Sequence, residues 1–444
     1  MTATISPAAG VPHGVPERAK PKRRLAPPAY LPEPPRKLDQ IDIPENLLMD
    51  IAVRHVNARG VVTINLLAKL MRLPLEFTEA VFRRLSDQQY FEVRRSSGDD
   101  YVFSLSPSGR KLAAERSLSS RYTGPAPVSL KEWTTAVRAQ AAHTDVTLEK
   151  LRRAFTDIVV EDKFLDELGP ALISRNAIFL YGPSGTGKTT IAERLGRVFE
   201  DAVVVPWAVE VDGQVIMVAD PAVHQQVEPE DLDIEAGLEA GFDIDPRWAV
   251  CRRPFVAVGG ELVTGMLDLQ KDESSGAYSA PLQMKANNGI LLIDDFGRQM
   301  ISPRDLLNRW IVPLDRRIDF LSLGSGGKFD IPFELQVVFS TNLAPNELAD
   351  EAFLRRIPNK ILIDAVKANQ FDEIFRMTCA AAGMAYEPGS EEFLRELCLK
   401  HSPDLRPCFP RDICNAIRAI TLYEHRELAV TRKDLERAAA TYFV

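Results

Sequence analysis

One octapeptide limits the folds open to this chain more than any other feature: Gly182-Pro183-Ser184-Gly185-Thr186-Gly187-Lys188-Thr189. It fits the spacing G-x-x-x-x-G-K-[ST]. Before it, Ala177-Ile178-Phe179-Leu180-Tyr181 reads as a buried strand; after it, Thr190-Ile191-Ala192-Glu193-Arg194-Leu195 reads as the first turns of a helix. Glycines let the backbone curl until successive N–H groups face one anion. The helix N-terminus adds partial positive charge. Residues Gly182 to Thr190 are therefore expected to line a nucleotide. Lys188 would reach the β- and γ-phosphates, and the Thr189 hydroxyl would ligate Mg²⁺.

A second motif, Gly289-Ile290-Leu291-Leu292-Ile293-Asp294-Asp295, reads as a central parallel strand ending in two carboxylates. Ligands of open α/β sheets bind at such strand ends. Asp294 is expected to hold Mg²⁺ beside Thr189, mainly through water. Asp295 is expected to orient or deprotonate the attacking water. A third strand, Leu335 to Ser340, runs into Thr341-Asn342, whose amide could reach that water or the γ-phosphate. Asp350-Glu351-Ala352-Phe353-Leu354-Arg355-Arg356-Ile357 follows.

In this order the elements resemble the AAA+ ATPase superfamily over about residues 169–444. The resemblance implies that Gly182–Thr189 is Walker A, Ile290–Asp295 is Walker B and Asn342 is sensor 1. It makes Arg355 and Arg356 candidate arginine fingers, acting on the ATP of a neighbouring subunit, without ranking the two. In Cys408-Phe409-Pro410-Arg411-Asp412, Arg411 resembles the sensor 2 arginine that reaches the γ-phosphate from the lid. One departure stands out. Walker B usually ends Asp-Glu, and this chain has Asp-Asp, which leaves Asp295 one methylene shorter. The run from Leu282 into Walker B is similar to MoxR-like members with a hairpin inserted there, and Tyr278 is a candidate pore contact or an ordinary packed aromatic.

The remaining chain divides by pattern. Residues 1–40 are rich in Pro and Ala and read as a disordered tail. Residues 44–116 read as a separate module of three helices and a hairpin, similar to winged helix-turn-helix domains of the MarR-like kind. Over 46–116 Lys and Arg exceed Asp and Glu by only about three, a weak footprint for nucleic acid. Protein contact and DNA binding both stay open for it. Residues 117–168 read as a linker and helical lead-in that could help cover the adenine. An α/β core over 169–363 and a helical lid over 364–444 complete the expected α/β architecture. An acidic run, Glu228 to Asp245, lies in the long stretch between the Walker motifs.

Net charge is −8, which argues against a bulk nucleic-acid coat. No apolar run reaches membrane-span length, and no apolar signal region opens the chain. The five cysteines lack paired C-x-x-C spacing, so reduced thiols in a cytoplasmic protein are expected. The leading functional expectation is an ATP hydrolase that remodels a protein client in a homo-oligomeric ring, which the resemblance implies is hexameric. The alternatives are a DNA-directed ATPase working through residues 44–116, and an ATP-gated scaffold with little turnover.

Overall fold

The computed structural model describes residues 24–97, 100–141, 146–233, 243–348 and 351–443. The first part of the expected tail, 1–23, and the middle of the acidic run, 234–242, lie outside them.

Five short apolar runs form one parallel sheet. From edge to edge its strands are Phe255–Val258, Ile290–Ile293, Gln336–Thr341, Ile178–Tyr181 and Asn359–Leu362. Ile290–Ile293 and Gln336–Thr341 are buried at every residue, as strands covered on both faces must be. Phe179, Phe296, Trp310 and Phe339 fill one side of the sheet. Ile178, Leu180, Leu168 and Ile191 fill the other. In chain order the sheet runs second, third, fourth, first, fifth. The first strand therefore sits between the fourth and fifth, and strand C-termini open a crevice where the order reverses.

The long stretch between the two motifs supplies four strands, Ala208–Val211, Gln214–Met217, Gln270–Lys271 and Tyr278–Ser279, which join Val128–Ser129 from before the glycine loop in a second five-stranded sheet. The pair Ala202–Pro206 and Trp248–Arg252 and the hairpin Ile318–Ser322/Lys328–Pro332 supply further residues to the core beside it. Helix Leu130–Ala139 buries Trp133 and Val137 in that core. Within the lead-in, helices Leu148–Ala154 and Asp162–Ser174 pack on the parallel sheet instead. Tyr278 is 4% exposed, and its hydroxyl accepts from Gly324 N at 2.9 Å. It is a packed aromatic, and the Gln270–Lys271/Tyr278–Ser279 hairpin is tied to the second sheet.

The N-terminal module has helices Glu45–Arg59, Ile64–Met71 and Leu75–Asp87, then strands Phe91–Ser97 and Asp100–Leu105, then helix Pro107–Arg116. Strand Val61–Thr63 completes a three-stranded antiparallel sheet. Thr63 caps the second helix by accepting from Leu66 N, and Ser106 caps the last one by accepting from Gly109 N. The module is less separate than its pattern suggested. Its core is continuous with Ala126, Ala208, Val215 and Ala277, and the Arg72 guanidinium lies 4.8 Å from the centre of the Trp207 ring.

Residues 24–40 also depart from expectation. Leu25 is buried and pairs with Leu232, while Ala26 pairs with Asp201. Tyr30 packs against Trp248. Two apolar anchors and a few backbone bonds hold a Pro-rich strap whose composition reads as disordered.

The lid has helices Ala368–Ala382, Ser390–His401, Cys408–Tyr423 and Arg432–Tyr442 around a core that includes Phe371, Phe375 and Ile413. Its third helix starts at Cys408, three residues before Arg411. No helix among the described residues is long and apolar enough to cross a membrane.

Two buried histidines give the fold a pH dependence. His224 Nδ1 accepts from Asp220 N at 2.9 Å while Nε2 lies 3.0 Å from Lys285 O, and His55 Nε2 lies 3.0 Å from Gly124 O. Burial holds both rings below their ordinary pKa against these backbone contacts. As pH falls below the unfolded value near 6.5, the unfolded chain takes up protons that the native rings refuse. Stability then falls, by at most about 1.4 kcal/mol per pH unit for each ring, until pH reaches the lowered native values. Thermal melts across this range should show a falling midpoint, with a shallower slope in His224→Gln.

Candidate active site

The strand Ile178–Tyr181 delivers the chain to the glycine loop. Gly182 has φ +145°, and a Cβ there would overlap the carbonyl oxygen of Ile363, so only glycine fits. Gly187, at φ +91°, caps helix Lys188–Leu195. Lys188 is 6% exposed, and its Nζ donates to the carbonyls of Gly182 at 3.0 Å and Pro183 at 2.8 Å. Burial lowers its pKa, and the nearby Asp295 and Asp294 carboxylates oppose that shift. Thr186 Oγ1 donates to Pro183 O, which braces the turn. Pro183 and Ser184 are exposed at its outer edge.

Across the crevice stands the acidic pair. Thr189 Oγ1 donates to Asp294, lying 3.1 Å from Oδ1 and 2.9 Å from Oδ2. Two motifs more than a hundred residues apart in sequence thus meet at one hydroxyl. The core is an α/β domain whose glycine loop and acidic strand end share one crevice.

Other candidate site residues fall close by. Asn342 Nδ2 lies 3.4 Å from Asp295 Oδ1, at the outer limit of a hydrogen bond. Asp295 has φ +48°, a left-handed backbone that Asp tolerates better than most residues. A left-handed turn at this position is one that Asp adopts more readily than Glu.

Gln299, which the sequence reading missed, locks the turn. Its Nε2 donates to the carbonyls of Asp294 at 2.7 Å and Asp295 at 3.2 Å, and its Oε1 accepts from Gly297 N. Thr341 Oγ1 donates to Phe296 O at 2.7 Å, tying the sensor strand to the same turn.

The two candidate fingers differ. Arg356 Nε donates to Asp315 at 2.9 Å, and its side chain is 17% exposed. Arg355 is exposed, with no ion pair among the described residues. In the lid, Arg411 is 65% exposed and lies 3.6 Å from Asp412.

Residues just before Arg411 make the contact with the glycine loop. Cys408 N donates to Gly185 O at 3.3 Å, and a Cβ on Gly185 would collide with the Cys408 sulfur. Arg406 has its stem beside the same glycine and its guanidinium over the Phe409 ring, and its buried Nε has no hydrogen-bond partner among the described residues. Arg406 carries no motif signal, since it precedes the lid helix.

These residues fit a nucleotide with Mg²⁺. The hydroxyl of Thr189 and the carboxylate of Asp294 are hard oxygen donors of the kind Mg²⁺ takes together with phosphate oxygens and water. The unpartnered Arg406 nitrogen and the buried Lys188 ammonium supply positive charge beside the loop.

A family model described as "Domain of unknown function (DUF8689)" matches residues 367–441, within the lid. Among curated proteins none is a significant sequence match. One similar solved structure is the Thermotoga maritima RuvB Holliday junction branch migration motor, at 13% identity, covering 64% of this chain and 70% of that chain with TM-score 0.36. Another is the FIGL-1 AAA domain, at 16% identity, covering 66% and 80%, with TM-score 0.34. Overall likeness this low carries no functional argument; the site geometry does.

Proposed function

We propose that this chain is an ATP hydrolase that works in a homo-oligomeric ring, hexameric in the resemblance's terms, and remodels a protein client. The observation that carries the hydrolase reading is the Thr189–Asp294 contact, with Asp295 and Asn342 adjoining it. ATP enters as substrate. Loop N–H groups and Lys188 hold its phosphates, and Arg406 approaches from the lid. Thr189 and Asp294 would hold Mg²⁺, which would supply charge neutralisation for the phosphates. Asp295 orients the attacking water and accepts its proton, and Asn342 fixes that carboxylate. Arg355 is the finger offered to the neighbouring subunit, and Arg356 anchors its own turn to Asp315.

Asp295→Asn tests this directly. Its amide can still hold a hydrogen bond but cannot take a proton. ATP affinity should stay near wild type while turnover falls by about 10²-fold or more. Unchanged turnover would remove Asp295 from the mechanism. Near-zero turnover in the wild type, with ATP still bound, would favour a gated scaffold instead.

Protein contact suits the N-terminal module better than DNA contact. On its third helix, Arg83 is paired with Glu79 at 3.3 Å and Arg84 with Glu45 at 3.3 Å. Arginines held by carboxylates are poorly placed to neutralise phosphates. A DNA-directed ATPase would instead show hydrolysis stimulated by duplex DNA, with steep salt dependence.

A further inference from the structure

The N-terminal module carries a basic cleft on the side away from its third helix. Tyr101 and Phe103 face that helix, with ring centres 5.8 Å and 4.7 Å from Phe82. Side chains alternate along a strand, so Val102 and Ser104 face the opposite side. There the sheet, the end of the first helix and the start of the last one enclose about 550 Å³. Val102 and the rim residue Val61 contribute its accessible apolar lining, and Arg94, Arg95 and Arg110 its charge. No carboxylate lines the cleft among the described residues.

Two of the three arginines, Arg95 and Arg110, have no carboxylate partner among the described residues. Arg110 donates to Leu105 O at 2.8 Å, which leaves its charge unmatched. Arg94 Nε donates to Ser104 Oγ at 2.9 Å, with Glu92 3.5 Å from another of its nitrogens. Arg95 is exposed, with no ion pair among the described residues. On the rim, Val61 is 54% exposed, an apolar side chain left open on an edge strand.

We propose that this cleft docks an acidic segment of a protein partner, one that alternates carboxylates with aliphatic side chains. Guanidinium forks match carboxylates bidentately. The apolar lining would bury an aliphatic side chain between them. A nucleic-acid backbone would satisfy the arginines and leave that lining uncovered. The proposal rests on the reading that this module recruits protein, but not on ATP turnover.

The test uses the full chain without nucleotide and a fluorescein-labelled peptide, Glu-Leu-Glu-Glu-Leu-Glu, followed by anisotropy. The wild type should bind it, more weakly as salt rises. R95E combined with R110E should weaken binding at least about tenfold, since it places carboxylates opposite carboxylates. Val61→Trp, which fills the rim without changing charge, should also weaken it. ATP turnover should hold in both variants, which shows that the chain is folded. Equal binding by wild type and both variants, or no binding by the wild type, overturns the proposal. So does a labelled DNA duplex that displaces the peptide and loses affinity in the same variants. If peptide binding fails while turnover persists, only this inference falls. If turnover is absent while binding behaves as described, only the hydrolase reading falls.

Discussion

Lys188→Ala should reduce ATP turnover by about 10³-fold and weaken ATP binding measurably. The ammonium is buried, which lowers its pKa, and the Asp295 and Asp294 carboxylates act against that shift. Without the ammonium, a triphosphate would approach two carboxylates with less to offset the repulsion. The side chain also bonds to the Gly182 and Pro183 carbonyls, so alanine removes a brace from the loop. The Gly182 carbonyl is buried and loses that partner, so the thermal midpoint should also fall, by the equivalent of about 1–3 kcal/mol. Lys188→Arg should fail nearly as badly, because a planar fork does not occupy the place of a compact ammonium. Phosphate release and calorimetric titration with ATP check both variants. Turnover close to wild type in Lys188→Ala would mean that hydrolysis occurs elsewhere or comes from a contaminant.

How much of this site could be read from sequence follows from how local its parts are. The glycine loop and its helix are contiguous, and each residue type has a chemical reason to be there. The acidic pair closes an apolar run, so its place at a strand end was legible too. Asn342 was found because it ends another such run. Gln299 and Arg406 were not, since each acts through backbone neighbours that only the folded chain brings near. The second sheet was the largest omission. Its strands are two to four residues long, and Val128–Ser129 pairs with Val209 and Glu210 far along the chain. Segments that short carry almost no periodicity. The Pro-rich strap was misread for a related reason: composition shows how little it can bury, not that Leu25 and Tyr30 find a surface already built.

Arg355→Ala should leave ATP affinity and folding near wild type and lower turnover of the assembled protein by about 10³–10⁵-fold. The contrast with its neighbour drives this. Arg356 is committed to Asp315, so Arg356→Ala should cost up to about 1 kcal/mol of stability and have a smaller effect on turnover. Arg355 has no such commitment among the described residues, and an exposed guanidinium on a short turn is free to meet a phosphate on another copy. If it acts across a subunit boundary, two inactive variants should rescue one another. A Lys188→Ala subunit still offers Arg355, and an Arg355→Ala subunit still offers an intact phosphate loop. Mixed, they should form composite sites in which the second holds ATP and the first completes it. Recovered turnover should rise with total protein concentration and vanish when either variant is present alone. An arginine acting within its own chain gives no recovery at any mixing ratio, because each subunit would then lack a part that its neighbour cannot supply. Loss of turnover in Arg356→Ala with Arg355→Ala unaffected would exchange the two roles and leave the trans arrangement standing.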